Sequence, residues 1–488
     1  MQSASINLIA DLRLNTGVGE ATRNLVDAIL AQNITASLHE LELPHRQNIT
    51  DLPDRYRHLP AQPAATMNLL AYEPVLLQHC LVTDLRELLL NRYTIGYWVF
   101  ELPKAPLWWR TGLTYADEIW TPSRYSAQSI AQAVNAPLHV VPNIVNVSKT
   151  TLLSRADLNL PNDRYIFYYN FDAKSSLARK NPWGVIEAFR RAFRVVSLST
   201  ELNAQHSHPP LLVIKARDIH KFPRAHQHLK QLIGAVGGML IDTDLPRQKV
   251  DALLRHIDCY VSLHRAEGFG LGIAESMSLG KPVIATHFSA NTDYLNAENG
   301  YPVQYELCPI TPETHHYDPK QADTYEIGQQ WAEPNIEHAA QLMREVYLDP
   351  LVAKAKGERA MRDIENYASP HAVGKWVAER LAQIEYGIFS GKIARNSHVK
   401  IASLIEIATA NLKFHHEHWH NVHMMIESIP QARNPLVNRV LHSALIAFLV
   451  RFYKRVRWLG HLTYAQNDVH RATIDLLSLL NARDPERK

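Results

Sequence analysis

Twice along the chain, short apolar runs of strand length alternate with amphipathic stretches of helix length, and this alternation restricts the fold more than any other feature. Runs of that kind pack as βαβ units around a parallel sheet. In the first series INLIA at 6–10 reads as a strand and EATRNLVDAILAQ at 20–32 as a helix with apolar positions at Leu25, Ile29 and Leu30. A turn holding Gly17 and Gly19 separates them. Further strands are expected at 67–71, 93–98, 117–121 and 138–142, with a helix at 123–133. The polar stretch SRADLNLPNDR at 154–164 breaks the pattern, and a second series follows: a strand at 165–169, a helix at 183–193, and strands at 211–215, 258–262 and 282–285. The expected class is therefore α/β, with two Rossmann-like doubly wound domains facing a cleft, residues 1–155 and 156–370. A closing helix at 371–390 is expected to complete the second half, and a basic helical extension at 395–488 follows it. Ligands of such open sheets sit beyond the carboxyl ends of the strands.

Composition narrows the function. The 488 residues suffice for two or three domains with full cores. With 51 Lys+Arg against 48 Asp+Glu the net charge is only +3, which argues against a general nucleic-acid binder. Cys80, Cys259 and Cys308 form no CxxC spacing and are too few for a disulfide framework, so a reducing compartment is expected. The N-terminus meets Asp11 and Arg13 before any apolar run long enough for a signal peptide. No run approaches the roughly 20 apolar residues of a spanning helix. A cytoplasmic protein is expected, with the inner face of the membrane as its peripheral station.

The stretch SLHRAEGFGLGIAESMSLGKPVIA at 262–285 carries the most chemistry. A strand ends near Ser262, a glycine loop turns, and a helix N-terminus follows that is suited to a phosphate. Glu267 lies in the loop, where it can grip a sugar hydroxyl. Glu275, eight positions on, can take a ribose diol with its two acceptor oxygens. Alone, such a pair describes equally well a solvated acidic turn beside a helix-packing glutamate.

With His264, Arg265, the Gly-Phe-Gly-Leu run at 268–271 and GKPVIAT at 280–286, this stretch resembles the signature of family 4 of the retaining glycosyltransferases, enzymes of the GT-B type. FDAKSSLARKNP at 171–182, IGYWVFELP at 95–103, WTPSRYSA at 120–127 and the glycines at 17 and 19 agree with it, so that the resemblance covers roughly residues 5–385. It implies a retaining, metal-independent, hexosyltransferase-type enzyme with no cofactor. Such an enzyme moves a sugar from a nucleotide-sugar donor to a glycan or lipid-linked acceptor in surface polysaccharide or glycoconjugate assembly. Carried onto this chain, it implies that Glu267 meets the donor sugar, Glu275 the ribose, and Arg179 and Lys180 the diphosphate. Gly17, Gly19, Lys174, His264, Gly268, Phe269, Gly270 and Leu271 would complete the donor site. Fixed cations and a helix dipole are what the departure of a diphosphate requires when no metal assists.

One departure stands out. Many relatives carry a histidine after the strand expected at 93–98, and here Val99, Phe100 and Glu101 follow instead. Glu101 either takes a polar role beside the reacting sugar or caps the loop before Pro103. Trp98 and the Trp108–Trp109 pair either stack on an acceptor sugar or fill the core.

Two features of the tail remain. His416 to His420 spells HExxH, the zinc-hydrolase spacing, but His423 stands where a metzincin needs glycine, and no acidic residue occurs between Glu427 and Asp468. Residues 434–460 form a basic amphipathic stretch suited to a membrane interface, to self-association or to packing on the body. A catalytically lapsed scaffold that associates through this tail is the alternative to an enzyme.

Overall fold

The computed structural model describes residues 4–40, 51–61, 65–71, 88–89, 92–106, 109, 116–193, 208–311 and 328–393. Strands β1 (Ser5–Ala10), β2 (Thr35–Glu40), β3 (Met67–Leu70), β4 (Tyr93–Tyr97), β5 (Glu118–Thr121) and β6 (Leu138–Val140) form one parallel sheet in the order β2-β1-β3-β4-β5-β6. Helices α1 (Gly17–Ala31) and α2 (Arg124–Ala131) connect its strands. A second parallel sheet comprises β7 (Ile166–Asp172), β8 (Leu211–Arg217), β9 (Met239–Ile241), β10 (Cys259–Ser262), β11 (Val283–Thr286) and β12 (Tyr301–Val303). Its order is β12-β11-β10-β7-β8-β9. Helices α3 (Leu177–Lys180), α4 (Pro182–Phe193), α5 (Pro223–Ala235), α6 (Arg247–His256) and α7 (Leu271–Ser278) join these strands. Each sheet reverses its winding once, between β1 and β3 and between β7 and β10. The loops on either side of the reversal diverge, which opens a crevice at the carboxyl ends of the strands.

Each strand expected from the sequence is present, with ends shifted by a few residues. The sequence reading misses β2, β9, β12 and the antiparallel hairpin β13 (Tyr305–Pro309) and β14 (Gln330–Pro334). β9 and β12 are three residues long and β2 mixes polar residues into TASLHE, so none shows a readable period. The hairpin reaches across to the first domain, where Trp331 and Ile310 bury themselves with Leu102, Ala178 and Phe288. Two further helices, α8 (Ile336–Leu348) and α9 (Pro350–Ala368), pack into the core of the second sheet.

Three expectations are corrected. The core changes hands between Ile144, which packs with the first sheet, and Val145, which packs with the second, and not at 155. The closing helix, α10 (Pro370–Phe389), completes the first half and not the second. Its Val373, Val377, Leu381 and Ile384 recur at helical spacing and join Ile6, Leu8, Leu25 and Ile29 in one core. Burying four such side chains is worth about 1.5–3 kcal/mol each, which holds this face of the helix on the first sheet. Finally, Gly17 and Gly19 do not form a turn ahead of the helix. Thr16 is the N-cap and accepts from the Gly19 amide at 3.1 Å, so both glycines lie in the first turn of α1.

Glycine at 19 is demanded by close approach. A Cβ there would stand 2.0 Å from the Leu14 carbonyl oxygen, a backbone atom that cannot swing away. Gly19→Ala is expected to cost about 1–3 kcal/mol in urea unfolding. An unchanged midpoint would mean that the loop before α1 yields freely.

The extension at 395–488, with its HExxH and its 434–460 segment, lies outside the described residues, as does Trp108. Among the described residues no helix is long and apolar enough to cross a membrane, and no group of three His, Cys, Asp or Glu is placed to hold a metal ion.

Candidate active site

The site grows from the two loops that flank the reversal in the second sheet. After β7, Asp172 folds back to accept from the Lys174 amide at 2.9 Å. Ser176 then takes a left-handed φ of 67° and caps α3 by accepting from the Arg179 amide at 3.3 Å. Asn181, also left-handed, ends that single turn and donates to the Leu263 carbonyl at 2.9 Å. Two non-glycine residues in this region cost about 1–3 kcal/mol each, and the surrounding hydrogen bonds hold them there. The result is that consecutive cations, Arg179 and Lys180, stand at the end of β7 facing the loop after β10.

Arg179 is 3% exposed and its guanidinium is fully committed. It donates from Nη1 to the Ala266 carbonyl at 2.8 Å and from Nη2 to the Ser175 carbonyl at 3.0 Å, while Glu267 lies 3.5 Å from Nη1 and Glu101 lies 3.3 Å from Nη2. Lys180 pairs directly with Glu267, and its carbonyl accepts from the Tyr169 hydroxyl at 2.6 Å. Burial alone would raise the Glu267 pKa, yet the adjacent Lys180 and Arg179 charges outweigh it and hold the carboxyl at about 2. Burial lowers the Lys180 pKa, against the pull of Glu267. The Glu267 amide donates to Ser289 Oγ at 2.8 Å, which sets the loop over the cations.

Four of the expected catalytic residues therefore meet: Arg179, Lys180, Glu267 and, from the first domain, Glu101. The carboxylate of the last reaches across the cleft to Arg179. The domains meet around this group. Ser123 donates to the Gly268 carbonyl at 3.0 Å, Arg124 pairs with Asp293 at 2.9 Å, and a Cβ on Gly268 would stand 2.4 Å from Val99.

Gly270, with φ of 86°, turns the chain into α7, whose N-terminus carries no side-chain cap. Leu271 at its first position lies 3.7 Å from where a Cβ on Gly17 would be. The N-termini of α1 and α7 thus face each other across the cleft, two positive dipole ends directed at one space.

Other expected residues lie apart. Glu275 is buried on α7 and pairs with Arg247 at 2.7 Å. Arg247 also binds Asp251 at 2.7 Å and approaches Glu20 of the first domain at 3.9 Å. Sequence reasoning misses Arg247, since its visible signal is only the helical spacing to Asp251. Lys174 turns to Asp218 at 3.3 Å, away from Glu267. His264, expected in the donor site, has its side chain fully buried. Its Nδ1 meets Ser262 at 3.0 Å and its Nε2 meets Asn291 at 3.1 Å, and burial lowers its pKa. The Phe269 ring likewise packs inward on Tyr294, leaving only its backbone at the loop. Trp98 and Trp109 are buried against each other in the core and offer no sugar platform.

Residues 242–305, from the loop after β9 through α7 to β12, match the family of glycosyl transferases group 1. The match includes Arg247, Glu267, the 268–271 run and Glu275. A search of the curated proteins gives no match. Among solved structures, the Anabaena Alr3699/HepE complex with UDP and glucose is similar at 13% identity, covering 78% of this chain and 100% of that one, with a TM-score of 0.54. A glycosyltransferase from Rickettsia africae ESF-5 is 13% identical over 79% of this chain and 99% of that one, with a TM-score of 0.53. Sucrose-phosphate synthase from Thermosynechococcus elongatus is 15% identical over 80% and 100%, with a TM-score of 0.53. At these identities the likeness is one of fold, and the fold is GT-B: two parallel six-stranded sheets facing a cleft. Together the family match and the fold support a transferase.

Proposed function

We propose that the cleft binds a nucleotide-sugar donor and transfers its sugar, a hexose, to a glycan or lipid-linked acceptor with retention of configuration and without a metal, in the assembly of a surface polysaccharide or related glycoconjugate. The observation that carries this reading is the convergence of Arg179 and Lys180 after β7 with Glu267 after β10 and Glu101 from the opposite domain. The UDP and glucose bound by the Anabaena protein support a nucleoside diphosphate sugar as the donor class.

In this reading the diphosphate lies between the N-termini of α1 and α7, and Lys180 turns toward it while Arg179 holds its charge in place beside it. The cations now neutralised by Glu267 and Glu101 are then shared with the leaving oxygens, where negative charge grows as the glycosyl bond breaks. Glu267, released in part from Lys180, accepts from the sugar hydroxyls. Glu275 takes the ribose diol in place of Arg247. Glu101 stands on the acceptor side, and closure of the domains around the group keeps water from the donor.

The test is product stereochemistry. Proton NMR of the glycoside formed from an α-configured nucleotide sugar should show an α linkage, and Glu275→Ala should weaken nucleotide binding roughly tenfold or more. A β product would overturn retention. Wild-type nucleotide affinity in Glu275→Ala would overturn the ribose assignment.

A further inference from the structure

One buried cation in the second domain has no part in the group above. Lys215 on β8 is 7% exposed, and among the described residues its ammonium has no hydrogen bond and no ion pair. Its ammonium lies within electrostatic reach of Arg217, Asp244, Asp172 and Asp218, and its donors remain available to an acceptor atom of a ligand. The carboxylates nearby are engaged elsewhere: Asp218 binds Lys221 at 2.7 Å and Lys174 at 3.3 Å, and Arg217 Nε lies 3.8–3.9 Å from Asp172, Asp218 and Asp244. Arg217 Nε and Nη2 are themselves buried without a hydrogen bond.

The sheet register fixes where these groups point. Lys215 is paired with Asn170 on β7 and Ile241 on β9, and residues in register on parallel strands share a face. Asn170 accepts from the Tyr260 hydroxyl at 3.0 Å, and its Oδ1 would lie 2.9 Å from a Cβ on Gly272 of α7. That face is the one covered by the helix bearing Glu275. Arg217, two residues on, shares it. Lys215 and Arg217 therefore sit at the carboxyl ends of the strands, beside the helix expected to hold the ribose and one strand from the loop expected to hold the diphosphate. A nucleotide laid along those two contacts brings its base to them.

We infer that Lys215 and Arg217 read the base of the donor nucleotide at pyrimidine position 4 or purine position 6, where they require an exocyclic oxygen, selecting uracil, thymine or guanine over cytosine and adenine. The inference rests on the donor reading above. Lysine and arginine only donate hydrogen bonds. A carbonyl at pyrimidine position 4 or purine position 6 satisfies them, whereas the amino group that cytosine or adenine carries there sets donor against donor.

Calorimetric titration of UDP, GDP, CDP and ADP into the full-length protein tests it. UDP or GDP is expected to bind roughly 10- to 100-fold more tightly than CDP and ADP, the range of a charged hydrogen bond won or lost. Lys215→Met should remove most of that preference, weakening the favoured nucleotide and relieving the donor–donor conflict with CDP. Lys215→Gln, which can donate or accept, should bring UDP and CDP near parity, and melting temperatures report that each variant is folded. Equal affinity of the wild type for all four nucleotides overturns the base assignment alone. So does a UDP-to-CDP ratio unchanged in folded Lys215→Met. If none of the four binds the wild type, the donor reading falls and this inference with it.

Discussion

Replacing Lys180 by methionine is expected to lower sugar transfer at saturating donor by roughly 10²–10³-fold, the cost of removing one preorganised donor from a site of developing charge. The argument is local. Lys180 is half-buried, closes the short helix α3 that follows β7, and holds Glu267 by a direct ion pair. When a diphosphate departs, the ammonium is the mobile member of the pair, because Arg179 is anchored by two backbone carbonyls and cannot move far. Its charge is stabilising mainly where the bond breaks, so kcat should fall more than nucleotide affinity does. Methionine keeps the aliphatic stem, and Glu267 retains Arg179 at 3.5 Å, so the fold should survive. Steady-state rates with the preferred donor check this. A variant with unchanged kcat would remove Lys180 from the chemistry and return it to the role of a structural partner for Glu267.

Arg380→Met is expected to destabilise the protein by roughly 3–5 kcal/mol, the range for leaving one half of a buried ion pair uncompensated. Glu118 begins β5 and is fully buried, and Arg380 of α10 donates to Glu118 Oε1 at 3.0 Å and pairs again at the other oxygen. Trp120 Nε1 and the Tyr93 hydroxyl add bonds at 2.6 and 3.0 Å. Burial would raise the Glu118 pKa, but Arg380, Trp120 and His139 outweigh it and lower the value. A depressed carboxylate stabilises the fold above its unfolded pKa of about 4.3 and loses that contribution as the pH falls through the folded value. Without Arg380, burial dominates and the sign reverses: the carboxyl prefers its proton, and stability drains as the pH rises from about 4 to 7. Urea unfolding across that range should therefore give slopes of opposite contribution in the two proteins. Parallel curves would mean that Glu118 is already compensated by Trp120 and Tyr93.

Both predictions concern residues that the sequence shows unequally. Arg179 and Lys180 follow a recognisable strand and resemble a known motif, so their place at the cleft is legible from local order. Glu118 and Arg380 are 262 residues apart and carry no signal of each other. Arg247 is similar: its pairing with Glu275 joins two helices whose relative position depends on how β9 and β10 are inserted in the sheet. His264 and Phe269 lie inside the motif yet turn away from the cleft, because a tight loop must send some of its side chains into the core.

Hydrophobic alternation is a property of neighbouring residues, and with the motifs at 171–182 and 262–285 it determined the α/β class, most strands of the two parallel sheets and the strand ends near which Arg179, Lys180 and Glu267 stand. Tertiary structure decided the rest: that Glu101 meets Arg179 from the other domain, that α10 crosses back to the first sheet, and that Lys215 lies on the sheet face covered by the helix of Glu275. Each of these depends on which surfaces are left uncovered once both sheets have formed, and contacts between residues far apart in sequence leave no period in the sequence to read.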